Sequence, residues 1–239
     1  MQPQHIVRAF DDDLRFLKTR IAGMGGHAER MVEQAVVALV GADPALALKV
    51  IADDAVLDEG QREIDDRAII IIAKRQPMAD DLREIIGAIR ISADLERVGD
   101  LGKNIAKRAG AVLDGGRPVS LARGLQALVE LALTQLKEVL DVYASRSVDR
   151  LALMRDRDDQ IDAMYTSLFR ELLTYMMEDP RNITACTHLL FCAKNIERIG
   201  DHATNIAETV YYIATGEQMA AERPKEDKSH RVTVAADRI

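Results

Sequence analysis

Tryptophan is absent and only 4% of the residues are aromatic, so the interior must be filled by Leu, Ile, Val, Ala and Met. With abundant Arg, Glu and Asp, that palette favours helix over sheet. Cysteine is scarce: Cys186 and Cys192 lie six residues apart. On one helix that spacing does not allow a disulfide, and neither belongs to a Cys-x-x-Cys pair for zinc. Two small buried thiols are expected, which suits a reducing cytoplasm. Positive charge is not in excess, because the formal net charge is −7. There is no basic stripe with interleaved aromatics, so nucleic acid is not an expected partner. No purely apolar run is longer than that from Ala68 to Ala73, which is far too short to span a bilayer, and the N-terminus lacks a signal-peptide core.

Catalytic signatures are missing too. No Gly-x-Ser-x-Gly, phosphate-binding glycine loop, His-Glu-x-x-His or Glu-x-x-His occurs. The last of these is the usual element of a ferritin-like di-iron site.

What is present is helical periodicity. Ile6, Phe10, Leu14, Leu17, Ile21, Met24, Ala28, Met31, Ala35 and Leu39 recur in steps of three or four, which predicts a helix with one buried stripe. Gly25 and Gly26 within it predict close helix packing or a bend. Asp43-Pro44 is a cap followed by a proline suited to a first turn, opening a second helix that runs to about Arg75. Its Ile69 to Ile72 run predicts burial on several faces. A third helix follows Pro77 and reaches about Leu113. Asp114-Gly115-Gly116-Arg117-Pro118 is the best boundary. A fourth helix carries Leu121, Leu125, Leu128, Ala132, Val139 and Val142, and a fifth spans about Ser147 to Met177. Asp179-Pro180 repeats the cap-plus-proline start of a sixth, ending near Thr215-Gly216. The polar, aperiodic stretch that follows predicts a mobile tail.

The two halves match. Residues 96–106 read E-R-V-G-D-L-G-K-N-I-A and residues 197–207 read E-R-I-G-D-H-A-T-N-I-A, with seven of eleven positions identical. Asp54-x-x-x-Asp58 recurs as Asp158-x-x-x-Asp162, and Arg67-to-Pro77 recurs as Arg170-to-Pro180. The expected architecture is all-α: two tandem antiparallel three-helix bundles related by an internal pseudo-twofold, covering 1–116 and 117–216, with a tail over 217–239.

Carboxylates at i and i+4 project from one helix face. Each half holds two such pairs: Asp54/Asp58 with Glu96/Asp100, and Asp158/Asp162 with Glu197/Asp201. If the second and third helices of each bundle are neighbours, four carboxylates converge, repel one another and favour a bound cation. An all-oxygen set suits iron(III), manganese, magnesium or calcium. Against this, a chain with 30% charged residues makes acid pairs by accident, and Arg97, Arg198 and Lys194 offer ordinary surface salt bridges. Gly99 and Gly200 recur just before the second acid, which predicts that something approaches closely there. Asn104 and Asn205 lie one turn beyond as outer contacts. His202, unmatched in the first half, reads as a helix-surface residue.

These residues resemble a known family. Phe10-Asp11-Asp12-Asp13-Leu14, the stretch from Arg67-Ala68-Ile69 through Ala73-Lys74-Arg75-Gln76-Pro77-Met78-Ala79-Asp80-Asp81-Leu82-Arg83, and the doubled Glu-Arg-hydrophobic-Gly-Asp blocks resemble the PhoU family over about residues 5 to 216. The resemblance implies tandem PhoU bundles, homodimers or higher homo-oligomers, and in some members multinuclear iron or zinc clusters on the acidic motifs. It implies no enzymatic activity. It implies a cytoplasmic regulator of phosphate uptake and negative regulator of phosphate-starvation signalling. Such a protein is an adaptor between the ATPase subunit of a phosphate ABC transporter and a sensor histidine kinase. Two alternatives read from the residues are a carboxylate-bridged metallohydrolase or phosphatase, and a metal-free structural bundle.

Overall fold

The structure is a computed structural model that describes residues 3–114 and 123–219. It is all-helical over those residues. The helices are α1 (Pro3–Gly41), α2 (Pro44–Arg75), α3 (Asp80–Asp114), α4 (Arg123–Ser145), α5 (Ala152–Glu178) and α6 (Ile183–Thr215). Short 3-10 turns at Val148–Leu151 and Pro180–Asn182 lead into α5 and α6. Helices α1, α2 and α3 pack on one another, as do α4, α5 and α6. The halves are joined where α3 lies along α6 and α1 meets α4. Helices α2 and α5 are therefore the outer ones. The boundary over residues 115–118, Leu121 and the tail from residue 220 lie outside the described residues.

Local chemistry accounts for the starts and stops. The Asp43 side chain accepts a hydrogen bond of 3.0 Å from the Leu46 amide, with Pro44 in the first turn. Asp179 does the same for the Arg181 amide ahead of α6. Gln76 ends α2 in a left-handed conformation and Gly216 ends α6 likewise. Helix α1 runs unbroken through Gly25 and Gly26. A Cβ on Gly25 would lie 2.4 Å from Leu140 Cδ1, so this glycine marks the close approach of α1 to α4 rather than a bend.

Among the ion pairs that tie the helices, two groups centre on a buried carboxylate. Asp13 on α1, 9% exposed, accepts from Arg67 and lies 3.6 Å from Arg75, both on α2. Glu84 on α3, 4% exposed, pairs with Lys18 of α1 at 3.5 Å and accepts a hydrogen bond from Arg146, just beyond α4. Burial, with the Glu84 carboxylate nearby, pushes the Tyr143 hydroxyl up beside this group.

The α2 seam has a heptad register. Ala47, Val50, Leu57, Ile64, Ala68 and Ile71 are buried, and Asp54 takes one position of the same seam. The expectation that Ile69 to Ile72 is buried on several faces is corrected. Ile71 is buried, but Ile69 and Ile70 are 63% and 43% exposed, because an outer helix covers only its inward stripe. Both cysteines are free and buried, and burial pushes the Cys192 thiol up to about 12.

Candidate functional site

Because α2 is antiparallel to α3, Leu57 meets Gly99, and one turn away on each helix Asp54 meets Lys103. A Cβ on Gly99 would lie 2.2 Å from Leu57 Cδ1. The glycine thus lets α2 and α3 approach, and carboxylates flank this contact on both sides. Lys103 Nζ donates to Asp54 across the helix pair and to Asp100 Oδ1 at 2.7 Å. Burial opposes its charge, yet the bonds to Asp100 and Asp54 outweigh that and hold the lysine above its ordinary value. Arg97 reaches Glu96 at 3.4 Å and Asp100 at 3.3 Å, and Arg62 lies 4.0 Å from Asp58. Burial raises the Glu96 carboxyl, helped by Asp100 and, more weakly, by Asp58 and Asp54. All four predicted acids of the first half therefore share one field.

The second half repeats the arrangement. A Cβ on Gly200 would lie 3.0 Å from Ile161 Cδ1 and 3.9 Å from Asp158 Oδ1. Asp158 and Asp162 stand on α5, Glu197 and Asp201 on α6. Thr204, the counterpart of Lys103, donates to Asp158 Oδ1 at 3.0 Å and is itself held by Gln135 Nε2 of α4 at 2.7 Å. Asp162 is 8% exposed and Glu197 only 2%. Burial raises the Glu197 carboxyl. The Lys194 ammonium, bonded to Oε1 at 2.8 Å, opposes the rise, and Asp201 and Asp162 add to it. The other oxygen, Oε2, is buried without a hydrogen-bond partner.

The chemistry of these donors suits a hard cation: carboxylates only, four per half, on facing helices. In the first half an ammonium already bridges the two helices. In the second, the orphaned Glu197 Oε2 is an oxygen that a cation would satisfy. As the side chains stand, no three His, Cys, Asp or Glu among the described residues are gathered tightly enough to hold an ion.

Lys103, Thr204 and Gln135 escaped the sequence reading. The signal available was the Lys-for-Thr difference, one of four between blocks that match at seven of eleven positions. Asn104 is exposed, whereas Asn205 donates to Asp94 Oδ1 at 3.4 Å. His202 is no surface residue. Its side chain is 17% exposed and its Nδ1 lies 2.8 Å from Asp94 Oδ1 of α3, joining the halves.

The PhoU domain family matches residues 21–109 and 125–210, one stretch in each half. The phosphate-specific transport system accessory protein PhoU homolog of Rhizobium meliloti (strain 1021) is 66% identical over 237 residues, covering 99% of this chain and 100% of that protein. The protein of the same name in Caulobacter vibrioides (strain NA1000 / CB15N) is 46% identical, covering 94% of this chain and 97% of its own. The crystal structure of PhoU from Pseudomonas aeruginosa superposes with a TM-score of 0.81 at 36% identity, covering 87% of this chain and 100% of that one. The phosphate transport system regulatory protein PhoU from Streptococcus pneumoniae gives 0.81 at 28% identity, over 88% and 99%. These relatives are named as accessory and regulatory proteins, not as enzymes.

Proposed function

Since this chain belongs to the PhoU family, we propose that it is an accessory protein of phosphate-specific transport that restrains phosphate uptake and keeps phosphate-starvation signalling off while phosphate is abundant. It acts without turnover, as a cytoplasmic adaptor. One surface contacts the ATPase subunit of the phosphate ABC transporter and another the sensor histidine kinase, and the protein is a homodimer or higher homo-oligomer. The observation that carries this reading is the 66% identity, over essentially the full length of both chains, to a protein named for the accessory role. The helices agree with it, since none among the described residues is long and apolar enough to cross a membrane. Association with the membrane components is then through protein contact.

The acidic grooves belong to the same reading. A metal cation, whether iron, zinc, manganese or magnesium, would be held in the second half by Asp158, Asp162, Glu197 and Asp201. In the first half Asp54, Asp58, Glu96 and Asp100 would hold it only after Lys103 has moved. Such an ion would supply charge neutralisation, which stiffens the pairing of an outer helix with its inner neighbour. The residues themselves position the groove: Asp54 sits in the α2 seam, and Gly99 and Gly200 bring the helices together.

Deleting the gene tests the regulatory role. The expected outcome is that phosphate-starvation genes are expressed at starvation level in phosphate-rich medium. Expression that stays repressed in the deletion strain contradicts it.

A further inference from the structure

We infer that the cleft between α1 and α4, where the two halves meet, is a binding site for a linear organic zwitterion, with the anionic end at Lys18 and the ammonium at Glu29. The acidic grooves and the regulatory role have no part in it.

The cleft has a volume of about 440 Å3, within the ~300–1,000 Å3 of small-molecule sites. Ala22, Gly26 and Ala144 line it, and their small size leaves the space. Leu140 lines it too and packs on Gly25, which keeps the two helices together. The helices run antiparallel here, since Leu140 meets Gly25 while Lys137 acts on Glu29. Lys18 and Tyr143 therefore share one end of the cleft, and Glu29 and Lys137 the other.

The two ends carry opposite charge. At the first, Glu84 is shared by Lys18, at 3.5 Å, and by Arg146, so two cations face one carboxylate. The Tyr143 hydroxyl is buried there without a hydrogen-bond partner, a donor lacking an acceptor. The Lys18 side chain, 40% exposed, is free to turn toward an incoming anionic group. At the second end Lys137, Asp141, Arg30 and Glu33 all act on Glu29, so three carboxylates face two cations. Burial raises the Glu29 carboxyl, and Lys137 and Asp141 act on it through space. An ammonium placed there neutralises the excess. Lys18 and Glu29 are eleven residues apart on α1, about 16 Å along the axis. Their side chains shorten the gap to about 10 Å, the length of an extended tripeptide. Two spacers fit that span, the peptide of trialanine and the alkyl chain of ω-aminooctanoate.

The test is a nuclear magnetic resonance titration of the untagged full chain with both zwitterions and their singly charged analogues. These are N-acetyltrialanine and trialanine amide, octanoate and octylamine. Circular dichroism checks that each variant is folded. At least one zwitterion should saturate the protein, with its singly charged analogues about tenfold or more weaker. Which zwitterion binds identifies the spacer. Glu29→Gln should erase the preference over the analogue that lacks the ammonium, and Lys18→Gln the preference over the one that lacks the anion. Tyr143→Phe should weaken binding by about threefold without lowering the urea midpoint of the free protein, because the hydroxyl it removes has no partner. Ala144→Leu, at an exposed helical position, should fill the cleft and abolish binding. If neither zwitterion saturates the protein, or if the preferences survive in Glu29→Gln and Lys18→Gln, the assignment is overturned.

Discussion

At the scale of single residues, the glycine ahead of each second acid is set by contact distance. A Cβ added at Gly99 falls on Leu57, which is fully buried and has nowhere to go, whereas at Gly200 the nearest atom of Ile161 is 3.0 Å away and needs only a small shift. Gly99→Ala should therefore destabilise by about 1–3 kcal/mol through overpacking, with Gly200→Ala clearly milder. Urea unfolding of the two variants measures this, and equal costs would contradict the packing account. Glu197 sets a pH dependence. Its carboxyl lies above the ordinary 4.5 because of burial, so the folded state holds this proton more tightly than the unfolded one. That group's stability is present below the unfolded value and is lost as pH rises through the folded one. In chelator, the stability of Glu197→Gln relative to wild type should increase from pH 4 to pH 7, and parallel curves would contradict it. The acid pairs were legible in the sequence because spacing by four is a local property and it recurs in both halves. Lys103 was not legible as their partner. Three residues from Asp100 it reads as an ordinary helix pair, and its reach to Asp54 depends on the register between α2 and α3.

Among the helices, the punctuation was the most legible feature, because caps act locally. Asp43-Pro44 and Asp179-Pro180 both do what their chemistry dictates, although the second opens with a 3-10 turn before α6. Helix α3 begins at Asp80 rather than directly after Pro77, with Ala79 in a left-handed conformation between them. The four isoleucines of α2 misled because burial on all sides needs neighbours on all sides, and α2 is an outer helix. Composition alone does not say which helices are outer. The α3–α6 contact was equally hidden, so His202 read as a surface residue when its partner lies more than a hundred positions away. A double-mutant cycle of Asp94→Ala and His202→Ala measures that contact. The coupling should be about 0.5–2 kcal/mol, as for residues sharing one polar network. Additive costs would mean that the pair does not bind the halves together.

For the whole molecule, duplication produced two similar helix pairs on the outside of a common inner layer, α1 and α3 against α4 and α6. Sequence repetition made the all-helical, two-part plan readable, since each block predicts the same unit twice. The side-by-side packing of the two parts was not readable, because it depends on long-range contacts: Gly25 against Leu140, Gly87 against Ile213, and Glu84 and Asp94 finding partners in the other half. The central claim is that these acidic grooves serve regulation of phosphate uptake without any turnover. The most direct measurement is expression from a phosphate-starvation promoter, in phosphate-rich medium, in a deletion strain carrying either the wild-type gene or Glu96→Gln/Asp100→Asn/Glu197→Gln/Asp201→Asn. Both proteins are to be shown folded and equally abundant. The account predicts repression by the wild type and starvation-level expression with the fourfold variant. Full repression by the variant would contradict it.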